Sequence, residues 1–284
     1  MAAQVIELGK RTIGKGAPVF VIAEVGINHN GDMKLAEELV RAAAKAGADA
    51  VKLQTYTTEK RVAKDSPIFG LLKNCELSHE EQKELFGLGG ELGVMVFSTP
   101  FDEEAVDFLK ETGSLLIKVA SFDVVNKRLL KKIAGTGLPV IVSRGMATME
   151  ELASALDILD SGNAKSAVLH CVSAYPVPSF ADLNLSTIRD LEEKLARPAG
   201  FSDHTIGISA PVWAVAAGAK IIEKHFTLDT KMEGPDHAIS ADPTTLREMV
   251  DSVREVEAAL GSPVSGPIGA EKDILQYRRT TVAP

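Results

Sequence analysis

Eight short apolar runs alternate along the chain with longer stretches whose apolar residues recur at helical spacing. The runs are rich in β-branched residues and are bounded by glycine, proline or polar turn residues, as buried parallel strands tend to be. Between the first two runs, Leu35, Leu39 and Ala43 have the spacing of a helix with one buried face. The runs begin at Val19, Asp49, Val94, Leu115, Pro139, Ser166, Arg197 and Ala219.

A strand followed by a helix, eight times over, predicts an α/β fold, the (β/α)8 TIM barrel. A doubly wound sheet uses the same units, and composition does not exclude it. Closure is favoured by the number eight and by polar residues at nearly every strand end, since barrels build their sites at one mouth. We expect residues 1–18 to form a short N-terminal β-hairpin closing the barrel floor, 19–268 the barrel, and 269–284 a tail or linker start.

Composition agrees with one large buried core, because 45% of the 284 residues are hydrophobic and 25% are charged. No apolar run is long enough for a membrane span, and the Met1 end lacks the layout of a secretory signal. Cys75 and Cys171 form no metal-type pair and no disulfide framework, which suits a reducing compartment. The net charge of -8 argues against a nucleic-acid partner. We therefore expect a cytoplasmic protein that acts on small molecules.

Strand parity predicts that polar side chains meet inside the barrel. Alternate residues point to opposite faces, so Lys52 and Gln54 share the inner face of their strand. The same argument pairs Glu223 with His225 and leaves Lys224 facing the helices. A lone strand-end lysine or histidine is more often structural than functional, but the joint pattern favours a ligand. The predicted ring consists of Glu24, Lys52, Gln54, Lys118, Ser143, His204, Glu223 and His225.

The residue types in this ring indicate a metal and an anion. His204 and His225, at neighbouring strand ends, are placed to hold one divalent ion with open positions, which suits Mn, Fe, Co or Zn. Lys52 and Lys118 indicate a phosphate or carboxylate cradle, completed by the hydroxyls of Thr99, Ser121 and Ser143 and by the Gln54 amide. From the residues alone, either an aldol-type condensation or a metal hydrolase fits this cavity.

The motifs that carry these residues resemble the N-acetylneuraminate (sialic acid) synthase family. The resemblance extends from about Val19 to the end of the chain, in the family's order and spacing. Its most specific part is GFSDHTIG, which is followed further along by EKHFTLD and GPDH. The other matching runs are IAEVGINHNGD, DAVKLQT, STPFDEEAVD, IKVAS, SRGMATMEEL and CVSAYPVPSFADLNL.

The resemblance implies condensation of phosphoenolpyruvate with an open-chain N-acetylated amino sugar, typically N-acetylmannosamine, to give a nine-carbon 2-keto acid and phosphate. It implies a divalent ion, often manganese with magnesium or cobalt as alternatives, held by His204 and His225. It also implies that Glu24 handles protons at the reacting carbons. The implied phosphoenolpyruvate contacts are Lys52, Gln54, Thr99, Lys118, Ser121, Ser143 and Ser202, and the implied sugar contacts are Phe101, Tyr175, Asn184 and Asp236.

This chain departs from the family at two places. The family usually reads STGMA where this chain has Arg144 after Ser143; the arginine either swings over the mouth to contact phosphate or pairs with a helix carboxylate. The family also generally continues into an antifreeze-like domain that reaches across a dimer. Here the last residues, 277–284, match only the start of that linker. Either the protein naturally lacks this domain, or the sequence is a fragment of a longer chain. We expect a different or looser sugar specificity from a barrel without the domain, and a homodimer stays an open alternative.

Other functions stay open at the level of sequence. Within the family, pseudaminic or legionaminic acid synthesis would use a diacetamido trideoxy sugar. A related barrel that condenses phosphoenolpyruvate with a phosphorylated aldose would need a second anion cradle, for which the sequence gives no residues. A metal hydrolase would leave the lysines unexplained. A non-catalytic sugar-binding or scaffold barrel is the alternative from another class.

Overall fold

The computed structural model describes residues 4–279. Eight parallel strands, β3 to β10, close into a barrel, and a separate two-stranded sheet precedes them. The strands are β1 Ile6–Leu8, β2 Arg11–Ile13, β3 Phe20–Gly26, β4 Ala50–Thr55, β5 Met95–Pro100, β6 Ile117–Val119, β7 Val140–Ser143, β8 Ser166–Cys171, β9 Ala199–Asp203 and β10 Ile221–His225.

Helices follow the barrel strands and cover the outside of the barrel. They are α1 Met33–Ala46, α2 Thr58–Arg61, α3 Phe69–Asn74, α4 His79–Leu92, α5 Glu103–Glu111, α6 Lys127–Ala134, α7 Met149–Ser161, α8 Thr187–Leu195, α9 Ser209–Ala216 and α10 Pro243–Leu260. Short 3-10 helices span Ser121–Asp123, Phe180–Leu183, His237–Ile239 and Gly269–Tyr277.

The barrel closes where the last strand pairs with the first barrel strand. β10 runs parallel to β3 in a register that takes Ile221 with Phe20 and His225 with Glu24. In a doubly wound sheet the first and last strands do not pair, and the sheet stays open. The predicted TIM barrel is therefore confirmed, and each of the eight predicted runs contains one barrel strand.

The N-terminal hairpin packs against the floor of the barrel. β1 pairs with β2 in antiparallel register. The apolar side chains of the hairpin, Ile6, Leu8 and Ile13, are buried in one cluster with Phe20 and Ile221, the first residues of β3 and β10. Burying these side chains covers the apolar end of the barrel interior. Of the predicted hairpin and tail segments, residues 1–3 and 280–284 lie outside the described part of the chain.

The barrel interior changes from apolar to polar along each strand. On β3 the inner positions are Phe20, Ile22 and then Glu24, and on β4 they begin with Ala50 and continue with Lys52. The outward residues of the same strands pack against the helices in a second apolar cluster. The apolar side chains at the floor therefore stabilise the barrel, and the polar side chains at the carboxyl ends of the strands are available to bind a ligand.

Local signals in the sequence fix where the helices begin. Asp32 accepts hydrogen bonds from the backbone of Lys34 and Leu35 at the start of α1, and Ser78 with Glu81 forms a capping box at the start of α4. α1 ends at Ala46 and is capped by Gly47, whose φ of 92° lies in the left-handed region that glycine adopts without strain. Across residues 4–279, no helix is long and apolar enough to cross a membrane.

Candidate active site

A cavity of about 560 Å³ opens at the carboxyl ends of the barrel strands. It gathers all of the site residues predicted from the sequence except Asn184. They are Glu24, Lys52, Gln54, Thr99, Phe101, Lys118, Ser121, Ser143, Tyr175, Ser202, His204, His225 and Asp236. The predicted inner face of each strand is therefore the face that lines the cavity.

Two predictions for single residues differ from the structure. Asn184 is exposed at the end of a 3-10 helix, with a left-handed φ of 46°, and its side chain donates to the Asp182 carbonyl instead of lining the cavity. Arg144 donates from Nε to the Ala147 carbonyl at 3.1 Å. Among the described residues Arg144 neither lines this cavity nor forms an ion pair, so neither alternative for it is observed.

A buried ion pair forms the base of the cavity. Lys52 Nζ lies 2.7 Å from Glu223 Oε2 and 3.4 Å from Glu24 Oε2, and Ser202 Oγ donates to Glu223 Oε1 at 2.8 Å. Burial opposes ionisation of Glu223, but the ammonium groups of Lys118 and Lys52 outweigh it and lower its pKa to about 2. Burial likewise opposes the charge of Lys52, yet the two carboxylates raise its pKa. Lys52 and Glu223 are therefore both ionised at neutral pH.

A second ammonium group lies beside a row of hydroxyls. Lys118 Nζ donates to Ser143 Oγ at 2.5 Å, and the nearby Ser121 Oγ accepts the Gly145 backbone N–H at 3.1 Å. Among the residues described, Lys118 has no ion-pair partner, and burial lowers its pKa to about 8. A desolvated, protonated ammonium next to hydroxyl donors is suited to bind a phosphate or carboxylate.

Glu24 differs from Glu223 although both are buried carboxyls in the same cavity. Its Oε1 accepts a long hydrogen bond of 3.4 Å from Gln54 Nε2. Its Oε2 faces Lys52 but has no partner with hydrogen-bond geometry in the described residues. Burial raises the pKa of Glu24 to about 7, because Lys52 offsets only part of the desolvation. Such a carboxyl exchanges a proton readily at neutral pH, as general acid–base catalysis requires.

His204 and His225 lie side by side at the mouth. Their ring centroids are 5.5 Å apart, and Tyr175 packs against the His204 ring at 4.2 Å. His204 Nδ1 lies 2.8 Å from the Val172 carbonyl, which leaves its Nε2 for another partner. Burial lowers the pKa of both imidazoles, so the neutral, metal-binding form dominates at neutral pH.

The pair of imidazoles fits one divalent ion with an incomplete protein ligand set. His225 Nδ1 is buried without a hydrogen-bond partner among residues 4–279, and it lies 3.8 Å from Asp236 Oδ2. The backbone contact of His204 is the kind of outer interaction that orients a metal-binding imidazole. Within the same residues no group of three His, Cys, Asp or Glu side chains is placed to hold a metal. Water or substrate oxygens would therefore complete the coordination of an ion at this pair.

An ion pair on the outer face of the barrel links β9 and β10 next to His204 and His225. Lys224 and Asp203 are register partners on β10 and β9, and Lys224 Nζ lies 2.7 Å from Asp203 Oδ2. Both side chains are fully buried, and Asp203 also accepts from the backbone N–H and hydroxyl of Thr205. Parity predicts the outward direction of Lys224 but not its partner. Because the pair is adjacent to His204 and His225, it fixes their relative position.

Arg61 is a cavity residue that sequence reasoning missed. Arg61 is the last residue of α2, and the connection between β4 and α4 also brings Ile68 and the α3 residues Leu71 and Leu72 to the cavity. The chain offers Lys60 and Arg61 as neighbouring cations, and nothing in the sequence distinguishes them. In the structure Lys60 pairs with Glu104 on the surface, whereas Arg61 turns inward.

Comparisons with known proteins match this chain over nearly its whole length. The NeuB family profile matches residues 39–265. An uncharacterised protein of Methanocaldococcus jannaschii is 47% identical over 98% of this chain and 83% of its own. N,N'-diacetyllegionaminic acid synthase of Legionella pneumophila is 39% identical over 96% of this chain and 82% of its own. The structure of N-acetylneuraminic acid synthetase from Leptospira borgpetersenii in complex with citrate superposes with a TM-score of 0.93 at 40% identity, covering 98% of this chain and 97% of that chain.

Proposed function

Because this chain belongs to the NeuB family, we propose that it condenses phosphoenolpyruvate with an N-acetylated amino sugar. The product is a sialic-acid-type 2-keto acid, and inorganic phosphate is released. The observation that carries this proposal is the joint presence, in one cavity, of two buried ammonium groups, a carboxyl with a pKa of about 7 and two neutral imidazoles.

Lys52, Lys118 and their hydroxyl neighbours bind phosphoenolpyruvate in this proposal. Its phosphate and carboxylate need fixed positive charges and donors, and the buried ammonium groups provide them without reorganising during the reaction. Glu223 holds Lys52 by an ion pair of 2.7 Å, and Ser143 holds Lys118 by a hydrogen bond of 2.5 Å. These contacts orient carbon C3 of the substrate toward the sugar aldehyde.

Glu24 moves the proton in this proposal. The C3–C1 bond forms as C3 of phosphoenolpyruvate attacks the aldehyde, the aldehyde oxygen takes up a proton, and water adds at C2. Glu24 accepts the proton that this water loses, which its pKa of about 7 permits at neutral pH. Glu24 then returns this proton to the oxygen of the former aldehyde. Phosphate leaves by cleavage of the C2–O bond and takes the proton of the C2 hydroxyl, which becomes the keto group. His204 and His225 would hold a divalent ion, manganese being our expectation, that polarises the sugar aldehyde.

The choice of sugar is a second level of the proposal. Phe101, Tyr175 and Asp236 line the same cavity as the imidazoles, and we propose that they supply an aromatic surface and a hydrogen-bond acceptor for the sugar. A diacetamido trideoxy sugar is the favoured alternative to N-acetylmannosamine, since the Legionella relative carries the name of a diacetyllegionaminic acid synthase.

An isotope experiment tests the reaction type. Phosphoenolpyruvate carrying ¹⁸O in the bridging C–O–P position is incubated with the protein, manganese and either sugar. Cleavage of the C–O bond places the label in inorganic phosphate, as the proposal predicts. Label retained in pyruvate would instead reveal hydrolysis at phosphorus, and no turnover with either sugar would favour a non-catalytic sugar-binding barrel.

A further inference from the structure

Arg61 is a guanidinium in the cavity without an acidic partner. It is half-buried, lines the cavity and forms no ion pair within the described part of the chain. The only hydrogen bond of its guanidinium within the same residues runs from Nη1 to Gln54 Oε1 at 2.9 Å. Since a guanidinium carries five N–H donors, the rest of its donor edge is available to a ligand.

The orientation of this guanidinium is fixed by aromatic rings. The guanidinium carbon lies 3.6 Å from the Phe101 ring centroid and 4.6 Å from that of Tyr56. Tyr56 is itself anchored, because its hydroxyl donates to the Leu72 carbonyl at 3.0 Å. Cation–π contacts of this kind restrain an arginine side chain and leave its N–H groups able to form hydrogen bonds. The donors of Arg61 are thus preorganised.

The lining of the cavity that contains Arg61 is partly apolar. Ile68 and Leu71, 48% and 39% exposed, line the same cavity; Ile68 directly precedes α3, and Leu71 lies on it. Asp236 also lines the cavity and forms no ion pair with Arg61. The wall therefore offers a hydrogen-bond donor, an acceptor and an aliphatic surface. An acylamino group has the complementary set, which is a carbonyl oxygen, an N–H and a methyl group.

We propose that Arg61 determines specificity by binding the carbonyl oxygen of an acylamino group on the sugar, with Ile68 and Leu71 contacting its methyl group. This inference deepens the proposed function and rests on it for the identity of the sugar. A phosphate on the sugar would fit less well, because Asp236 is negative and Arg61 is the one cation in the set of Arg61, Ile68, Leu71 and Asp236.

The test compares sugars that differ only in this group. Binding of N-acetylmannosamine, of mannose and of a 2,4-diacetamido-2,4,6-trideoxy sugar is measured by isothermal titration calorimetry without phosphoenolpyruvate, so that no turnover occurs. Arg61→Met should weaken binding of the acylated sugars by about tenfold to a hundredfold and leave mannose within about twofold. Arg61→Lys should restore binding only in part, because an ammonium lacks the planar donor edge.

Lys60→Met is the matched control. It removes the neighbouring cation, which pairs with Glu104 outside the cavity, and should leave the dissociation constants of all three sugars unchanged. The inference is overturned if Arg61→Met affects acylated sugars and mannose equally, or if the wild-type protein does not prefer the acylated sugars. Preference lost in Arg61→Met, in a protein that releases no phosphate, would instead overturn the proposed function and leave this inference standing.

Discussion

At the scale of single residues, the same burial has different consequences for the four ionisable groups at the base of the cavity. Lys52 and Glu223 neutralise each other at 2.7 Å, and both stay charged. Glu24 and Lys118 have weaker compensation, so the pKa of each moves to about 7 and about 8. Groups whose environments push their pKa values toward neutrality are suited to proton transfer and to pH-dependent binding.

The pKa of Glu24 predicts the acidic side of the pH–rate profile. If its carboxylate accepts a proton from water, kcat/KM should rise as the pH increases through about 7. Glu24→Gln should lower kcat/KM by roughly 10² to 10⁴ and remove this rise. Glu38→Gln, an exposed change on α1, is the control. A rise near pH 7 that persists in Glu24→Gln would assign the ionisation to another group.

The pH dependence of the free energy of unfolding provides a second test of the raised pKa of Glu24. Its pKa is raised from 4.5 to about 7 on folding, so its contribution to the free energy of unfolding is complete below pH 4.5 and is lost as the pH rises through about 7. Urea unfolding of Glu24→Gln should lack this decline, because glutamine mimics the protonated carboxyl.

Deprotonation of Lys118 should weaken the binding of phosphoenolpyruvate at alkaline pH. Its pKa of about 8 means that the ammonium loses its proton, and the cavity a positive charge, as the pH rises above that value. The dissociation constant of phosphoenolpyruvate should therefore increase between pH 7.5 and 9, as measured by calorimetry. Lys118→Met should bind weakly at every pH and lose this dependence. A dissociation constant independent of pH in the wild-type protein would contradict the assignment.

Removing one imidazole should reduce turnover and manganese affinity far more than removing one hydroxyl. His225→Ala removes one of two candidate metal ligands, so manganese affinity measured by calorimetry and turnover should both fall by orders of magnitude. Ser143→Ala removes one neutral hydrogen bond from Lys118 and should cost roughly 1 to 2 kcal/mol in transition-state stabilisation, with manganese affinity unchanged. The reverse ranking would contradict the metal site at His204 and His225.

At the scale of elements, the period of the strands made most of the site predictable. Parity places Lys52, Glu223 and His225 on the inner face because side chains of a strand alternate, and this rule does not depend on distant contacts. The alternation rule does not apply outside the strands, where Asn184 is exposed after a 3-10 helix and Arg61, at the end of α2, points into the cavity. Loop side chains are directed by tertiary contacts such as the Phe101 ring, which no local pattern reveals.

Breaking the buried ion pair between Lys224 and Asp203, on the outer faces of β10 and β9, should lower the free energy of unfolding strongly. Lys224→Met leaves the Asp203 carboxylate buried without its counter-ion and should lower the free energy of unfolding by about 3 to 5 kcal/mol in urea titrations. Lys194→Met, which breaks an exposed pair with Asp190 on α8, should cost less than about 1 kcal/mol. Equal effects of the two changes would show that the buried pair does not hold these strands together.

At the scale of the whole molecule, the barrel separates the residues that stabilise it from those proposed to act in chemistry. Apolar side chains such as Phe20 and Ile13 fill the floor, and the polar ring occupies the opposite end. The eightfold strand–helix pattern predicts this architecture because each strand–helix unit can bury its apolar faces only against its neighbours. The sugar to be used is less predictable, since it depends on loops such as the one carrying Arg61.

We propose that this barrel joins phosphoenolpyruvate to an amino sugar with the help of a divalent ion. The most direct test measures phosphate release from phosphoenolpyruvate with and without N-acetylmannosamine or its diacetamido relative, in manganese-loaded and metal-stripped protein. We predict release only when both sugar and metal are present. Release without sugar would indicate a phosphatase and contradict the claim, as would the absence of release with every sugar in the presence of manganese.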